Sequence, residues 1–597
     1  MARFLAAIFI LLLPLLSTPT QATRFGIIAP YKTLFWGASG FDNLNPEPLS
    51  IPSPSPSPSS ISPQSVIKPS SSSSSSSSIR TTFGAFVPTP NSPLPNFTFP
   101  NPLDTLIDFS TVGYRALKSP LPTSNLSNAF ITLYPSNDTT DRTVDIQNAL
   151  DKAASNGGGI VKLSAGDYHL SPMDGSTLVI KKPKVVLSGE GDETVLYPSG
   201  TNRILFSIGT GQLGWYDIND RTPVAQVSQS YMPSGSYSIN VTSPKGFFQV
   251  GSTVVIARTV TEEWLKALNM NNLTRNGLKQ NWLPVGSVLA QDRVITSLAE
   301  FLPSPAVCSN CIPGGLSTTT TLFFDSPLTD SYDAASFLGN PRVYKATRGS
   351  RTREVGLENF KIVMRESQAG YSLAEGSYVL PVQIEGAEDV WLRNLRLEGF
   401  LQGVLVGSTT KRITLDTVTS VRDQPTFPGA IPADIQVFGS QVLVKRCRTI
   451  GDYTTESFAV AMQRPLGPNA IWQQQGNLSH AKHVVEAHQR YATGLLVDNS
   501  TVSMLQTVNR GNLGTGHGWT LNYGIHYNVR AKSVNCQQIG PPYGSIVLVG
   551  VTGAPGVYGN NCTALTPADG KAPGSLLMAQ LTDKVGEQKA KLILGVD

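Results

Sequence analysis

The chain has 597 residues, 40% of them hydrophobic and only 15% charged, with 46 Lys plus Arg against 41 Asp plus Glu and a formal net charge of +5. So low a charge density excludes a charge-rich coiled coil, and so small a basic excess argues against a nucleic-acid partner, which needs a concentrated positive stripe. The length suits about four domains or one long solenoid.

In chain order, the first element is a targeting segment. Arg3 precedes an almost wholly apolar run from Leu5 to Leu16, and Thr20-Gln21-Ala22 offers a cleavage site, so residues 1–22 are expected to be a secretory signal peptide. The run is shorter than the about 20 residues a membrane span needs, and no later stretch is longer. The mature protein is therefore expected to be soluble, secreted and extracellular, without a membrane span. Residues 23–126 are predicted to be a Pro/Ser-rich low-complexity linker or stalk. They hold Pro52-Ser53-Pro54-Ser55-Pro56-Ser57-Pro58 and an unbroken serine run from Ser70 to Ser78, which cannot bury enough apolar area to fold. The Ser-Pro repeats resemble glycosylated segments of plant and algal wall glycoproteins and suit a plain spacer equally well. Sequons at Asn96, Asn125, Asn137, Asn240, Asn272, Asn477, Asn499 and Asn561 permit glycosylation.

Folding is expected to begin near Ala129. Val144, Ile146, Ala149, Leu150 and Ala153 recur at helical spacing and predict a helix over 143–155, with Asp141 or Thr143 as its cap and Gly157-Gly158-Gly159 as its end. Ile160–Leu163 and the residues around Tyr168 read as strands. One motif then returns, a short alternating strand ending in a polar or turn residue: Val185–Gly189, Val355–Phe360, Val390–Leu395, Arg412–Asp416, Gln441–Lys445, Gly494–Asn499 and Val529–Val534. Short strands at such intervals without intervening helices imply stacked coils, as in a parallel β-helix. Inner faces take Val, Leu and Ile; outward residues stay free for chemistry. Residues 213–345 break the rhythm and read as an inserted subdomain. A strand pair is expected over 247–256 and a short helix over 261–268. The division expected is thus 127–212 for the first coils and capping helix, 213–345 for the insertion, 346–560 for the later coils and 561–597 for a C-terminal cover.

The stretch from Thr143 to Leu150, followed by Gly157-Gly158-Gly159-Ile160-Val161-Lys162-Leu163-Ser164-Ala165-Gly166-Asp167-Tyr168, resembles the opening of the pectate-lyase superfamily, with Ser164 where a Pro is usual. The resemblance implies an all-β fold, a right-handed parallel β-helix (solenoid) closed by an N-terminal capping helix, over roughly 127–540. Trp264–Met270, His488–Gly494 and Gly514–Trp519 are similar to blocks in a subgroup of secreted microbial β-helix proteins without settled activity. The superfamily holds polysaccharide lyases, galacturonan hydrolases, uronan epimerases and viral tail-spike proteins, so the fold does not fix the reaction.

Five of the 6 histidines, His480, His483, His488, His517 and His526, crowd into one segment; His169 is the outlier. Histidine is the usual proton-transfer side chain near neutrality. If Val485–Tyr491 is a strand, Glu486, His488 and Arg490 share one outward row, and His517 arrives from the next coil. β-Elimination at a uronic acid needs a base for the C5 proton, a cation for the carboxylate as it gains enolate character, and an acid for the leaving oxygen. Arg490 suits the cation, His488 or His517 the base, and Tyr491 or the other histidine the acid. Glu486, Trp519 and Trp472 are candidate substrate-binding residues, the tryptophans as stacking platforms. Glycines around His517 also suit a tight corner. Gly516-His517-Gly518 is similar to a short polygalacturonase motif, but that family's Asn-Thr-Asp and paired-aspartate motifs are missing. Hydrolysis would have to draw on Asp423, Asp434, Asp452 or Glu456. No metal site is expected. No cofactor is implied, and calcium-assisted chemistry lacks an Asp cluster within one coil.

The leading expectation is a polysaccharide lyase on an acidic, uronate-containing glycan. A glycoside hydrolase on the same fold is the first alternative, and a non-catalytic cell-wall or matrix glycan-binding protein the second. The partner is a polysaccharide or cell-wall glycan, and a monomer is expected. Cys308 and Cys311 suit a local disulfide. Cys447 and Cys536 suit inward packing, and Cys562 can pair with either.

Overall fold

The structure, a computed structural model, describes residues 97–171, 176–199, 203–211, 225–301, 317–333, 341–346, 350–364, 379–400, 402–422, 433–450, 457–476, 478, 483–540, 543–565 and 574–596. The signal peptide, the Ser-Pro stretch, Cys308, Cys311, Asp423, Asp452, Glu456, Asn477 and His480 lie outside the described residues.

Each short alternating strand has an apolar face that its own coil cannot bury, and stacking supplies the missing cover. One row of partners runs up the molecule in parallel register: Val186, Gly356, Trp391, Thr414, Leu443, Ala470, Leu496, Ile525, Val547 and Thr563. The alternate residues Leu187, Leu357, Leu392, Leu415, Val444, Ile471 and Val497 point inward and belong to one buried core. The fold is a right-handed parallel β-helix. At one corner its coils turn through residues with left-handed backbone, Asn359, Asn394, Thr417, Arg446, Gln473, Asn499 and Asn528, and several coils have a second such residue a few positions earlier, as at Glu354, Asp389 and Arg412. Asparagine is among the few side chains that tolerate this conformation. Here it also links coils, since Asn394 Nδ2 donates to Asn359 Oδ1 at 3.0 Å and Asn528 Nδ2 to Asn499 Oδ1 at 3.1 Å.

Helix α1, Thr143–Ser155, closes the first coil and buries Ile146, Ala149, Leu150 and Ala153 in the same core. Asp141 Oδ1 accepts from the Thr143 backbone N–H at 2.9 Å and from its hydroxyl at 2.6 Å, relieving a helix end that has free donors.

The insertion is a closed antiparallel barrel of Ala225–Val227, Ser238–Pro244, Thr253–Thr259, Val288–Phe301, Ser317–Phe324 and Arg342–Lys345. The strand pair expected over 247–256 is corrected: the strand begins at Thr253, and Phe247 and Phe248 sit ahead of it with their rings packed edge to face at 4.8 Å. Helix α2, Glu262–Ala267, is capped by the Thr261 hydroxyl, which accepts from Trp264 N–H at 3.2 Å. The barrel docks on the β-helix through buried charge. Lys411 Nζ lies 3.4 Å from Asp292 and 3.3 Å from Asp325, and Arg351 lies 3.1 Å from Asp292.

One further correction concerns what covers the coils. Residues 97–126 were expected to be linker, yet they form a packed strap. Phe109 and Val112 are fully buried, the Phe109 N–H donates to Gln580, and Asp104 accepts from Tyr231 and Ser234. The strap, helix α3 (Leu576–Val585) and helix α4 (Glu587–Leu594) bury a second apolar cluster against the outer face of the sheet. Cys536 is joined to Cys562, and Cys447 is a buried free thiol whose ionisation burial pushes up to about 12.

Candidate functional site: a buried carboxylate–imidazole cluster

The strand His483–Gln489 is one rung of the β-helix. Val485 and Ala487 face the core, so alternation sends Glu486 and His488 outward. Both are nevertheless only 1% exposed. The covering element is the segment Asn509–Trp519, which doubles back on itself. Arg510 N–H donates to Gly518 at 2.9 Å, Gly518 N–H to Gly511 at 2.9 Å, and Asn509 bridges Trp519. Two of its glycines are required by contact as well as backbone. A Cβ on Gly514, at φ +59°, would lie 2.2 Å from His517 Nε2, and one on Gly518, at φ +54°, would lie 2.2 Å from the Trp282 ring.

Under this roof, His488 Nδ1 is in short contact with Glu486 Oε1. Gln506 Nε2 donates to Glu486 Oε2 at 2.7 Å. Arg510 Nη1 lies 2.8 Å from His488 Nδ1, 3.0 Å from its Nε2 and 3.5 Å from Glu486 Oε1. The His517 ring lies edge-on to His488, with centroids 4.9 Å apart. Burial pushes the Glu486 carboxyl up to about 7, against the opposing pull of Arg510 and the Gln506 hydrogen bond. Burial, then the charges of Arg510 and Arg490, hold His488 well below the usual histidine range. Burial, then His488, Arg510 and Arg490, take His517 down to about 2. At neutral pH the imidazoles are therefore uncharged, and burial favours the protonated form of Glu486 beside an imidazole nitrogen.

Arg490 departs from the expected row. The strand ends at Gln489, and Arg490 and Tyr491 both take left-handed backbone, φ 60° and 67°, so alternation stops there. Arg490 swings to the rim, where its Nη2 donates to Thr515 Oγ1 at 2.6 Å. Burial and the neighbouring Arg464 lower it to about 10. Tyr491 turns away into the barrel interface. Its ring meets Trp264 and Trp282 edge-on, its hydroxyl donates to Asp330 at 3.0 Å and accepts from Asn522 at 2.9 Å, and it is 2% exposed. A buried hydroxyl so engaged does not serve as the acid. Trp472 is also corrected: it lies 1% exposed under the C-terminal helices, with its indole N–H donating to Ser575 Oγ at 3.0 Å, and offers no stacking face. Trp519 is partly buried behind the cluster and donates to Leu268 O at 3.1 Å.

The histidine crowd divides in the same way. His488 and His517 meet. His526 occupies an inward position of the core, in register with Val497 and Leu548, where burial lowers it to about 3. His483 is buried at the start of the strand. Asp434, considered for hydrolysis, is engaged by Arg422 at 2.7 Å and by the Thr449 hydroxyl. Arg510 and Gln506 were missed from sequence. Gln506 had a signal, since it is the register partner of Glu486 in the next coil; Arg510 had none, because only the fold of the covering segment aims it.

No protein-family model matches the chain, and no curated protein matches it. Among solved structures it is similar to the tailspike protein of E. coli bacteriophage HK620 in complex with pentasaccharide, with 11% identity and a TM-score of 0.34 over 73% of this chain and 57% of that one. A double mutant of that tailspike gives 11% identity and a TM-score of 0.37 over the same shares. The chain thus spans little more than half the length of those tailspike chains.

Proposed function

We propose that the protein is a secreted member of the pectate-lyase superfamily that cleaves an acidic, uronate-containing glycan by β-elimination at the Glu486–His488–His517 cluster. The observation that carries this reading is a buried carboxyl group in direct contact with an imidazole and beside the Arg510 guanidinium, its ionisation pushed up by burial. His488 or His517, both uncharged, accepts the C5 proton after the entry of substrate and water relieves the burial that weakens each as a base. The C5–H electron pair becomes the C4=C5 double bond, and the C4–O bond breaks. The leaving oxygen takes the proton that Glu486 holds. Arg490, at the rim with Arg464 near it, stabilises the carboxylate as it takes on enolate charge. Because the cluster is covered and His517 is itself part of the cover, substrate enters when the segment 509–518 opens, and His517 meets it when the segment closes again. Secretion is supported by the apolar run after Arg3 and by the Cys536–Cys562 bridge, which suits an oxidising compartment.

A second reading, a non-catalytic glycan-binding protein, is favoured by the 1% exposure of both Glu486 and His488. Incubation with pectate, alginate and glucuronan separates the two. The lyase reading expects unsaturated uronate absorbing in the ultraviolet, lost in Arg490→Ala. Glycan retention with neither unsaturated product nor new reducing ends would establish the binder, and reducing ends without unsaturation would establish a hydrolase.

A further inference from the structure

The segment that roofs the histidine cluster is itself held from outside, by an arm of the inserted barrel. The arm follows α2. Thr274–Arg275 pairs antiparallel with Leu278–Lys279, and the two residues between them, Asn276 and Gly277, both take positive φ, 50° and 75°, as a tight type I′ hairpin turn requires. Leu278, beside the turn, is 69% exposed. Two hydrogen bonds join this arm to the cover, between residues 239 and 238 positions apart: Arg275 Nη1 donates to Gly514 O at 2.8 Å, and Asn512 Nδ2 donates to Thr274 O at 2.7 Å. Behind them Gly516 lies against the arm's base, where a Cβ would come within 3.1 Å of Gln280 Cβ. Beyond burial and the charges of His488, Arg510 and Arg490, the charge of Arg275 also lowers His517, so this guanidinium is felt inside the cluster.

The outer part of the cover is held by polar contacts rather than by a core. Asn512 and Thr515 are exposed, and Gly511, Leu513 and Gly514 are half-buried, so no apolar side chain in 511–515 is fully buried. Opening this stretch exposes little apolar surface, and its hydrogen bonds therefore weigh heavily in how often it opens. One of them, Arg490 Nη2 to Thr515 Oγ1, comes from the rim of the cluster; the two from the arm come from the insertion.

We propose that the hairpin arm is a latch: the inserted barrel holds the cover shut over Glu486 and His488 through Arg275 and Asn512, and release of these two bonds opens the cluster. The closed state is the one in the structure, with both side chains at 1% exposure. The open state is a minor population whose weight the two bonds set. The insertion thereby governs access to a site that is built wholly from the coils and their cover. The latch rests on the geometry of arm and cover; that the opening serves a uronate glycan rests on the function proposed above.

The test compares the full chain with Arg275→Ala, Asn512→Ala and the double variant, each checked by thermal unfolding. Hydrogen exchange read by mass spectrometry follows the opening of 509–518. Brief treatment with diethyl pyrocarbonate, which acylates uncharged imidazole, followed by peptide mass spectrometry, follows access to His488. Half-buried His169 and core His526 are the reactive and protected references. The double variant is expected to exchange over 509–518, and to be modified at His488, at least about tenfold faster than wild type, with His526 and the barrel strands unchanged. Each single variant is expected to show a smaller rise in both, and the singles carry the test if the double variant does not fold. Unchanged exchange over 509–518, faster exchange with His488 still protected, or acceleration spread evenly over the barrel overturns the proposal. A latch that opens as expected stands even if no glycan yields unsaturated product, in which case the lyase reading alone fails; unsaturated product with access indifferent to both substitutions leaves the lyase reading and removes the latch.

Discussion

Glu486 and Asp498 lie twelve positions apart in sequence, are both buried, and are both pushed up to about 7 by that burial. Their partners differ. Asp498 Oδ2 accepts from Ser575 Oγ at 2.6 Å and from the Leu577 N–H at 2.9 Å, at the start of α3, so it fastens the C-terminal helix to the coils. Glu486 meets an imidazole and a guanidinium, both able to handle protons or charge, and sits beneath a glycine-rich cover. A raised carboxyl therefore marks burial, and only the neighbours tell a structural anchor from a reactive group.

Four perturbations sharpen this contrast. The largest is Trp472→Ala on the anchor side, expected to destabilise by about 3–5 kcal/mol through a cavity under α3, with activity per folded molecule unchanged. Lost glycan affinity at unaltered thermal stability would instead restore Trp472 as a sugar platform. Asp498→Asn comes next. The folded pKa of Asp498 is raised, so its contribution to stability is fully present below the unfolded value near 4 and is lost as pH rises through about 7. Wild type should therefore lose up to about 4 kcal/mol relative to the variant between pH 4 and pH 8, read by denaturant unfolding. His488, His517 and His526 have depressed values and contribute in the opposite sense, which is why the difference between the two proteins is the informative quantity. Gly514→Ala should cost about 1–3 kcal/mol through positive φ and contact with His517, and should speed hydrogen exchange over 509–518. Arg446→Gln removes the bidentate partner of the buried Asp416, which keeps Lys445 at 3.1 Å, and should cost about 1–2 kcal/mol, read by denaturant unfolding.

The coils were legible because the physics that stacks them is written in short range. Leu357, Leu392 and Leu415 recur within alternating strands, and Ile146, Ala149, Leu150 and Ala153 mark the capping helix. The contact of Glu486 with His488 follows from the same alternation. What failed to read out depends on long-range cover or on local backbone sign. Ile107, Phe109 and Val112 lie in a short, Pro-flanked stretch without a strand or helix period, and their burial needs α3 more than 450 positions away. Trp472 looks outward by alternation and is covered by the same helices. Arg490 and Tyr491 leave the row because two non-glycine residues take positive φ, which nothing in their identity announces. His526 was counted with the site because crowding in sequence is a weak guide to facing in space; its position in register with Val497 and Leu548 places it in the core.

The central claim is that the proton held by Glu486 takes part in bond cleavage. Glu486→Gln keeps the side-chain size and an acceptor for Gln506 while removing that proton. The direct measurement is the rate of unsaturated-uronate formation by wild type and by this variant, on the glycan that wild type cleaves and with thermal unfolding measured on both. The account predicts at least about a hundredfold loss of rate with an intact fold. A variant that cleaves at the wild-type rate would contradict it and leave Glu486, like Asp498, as an anchor.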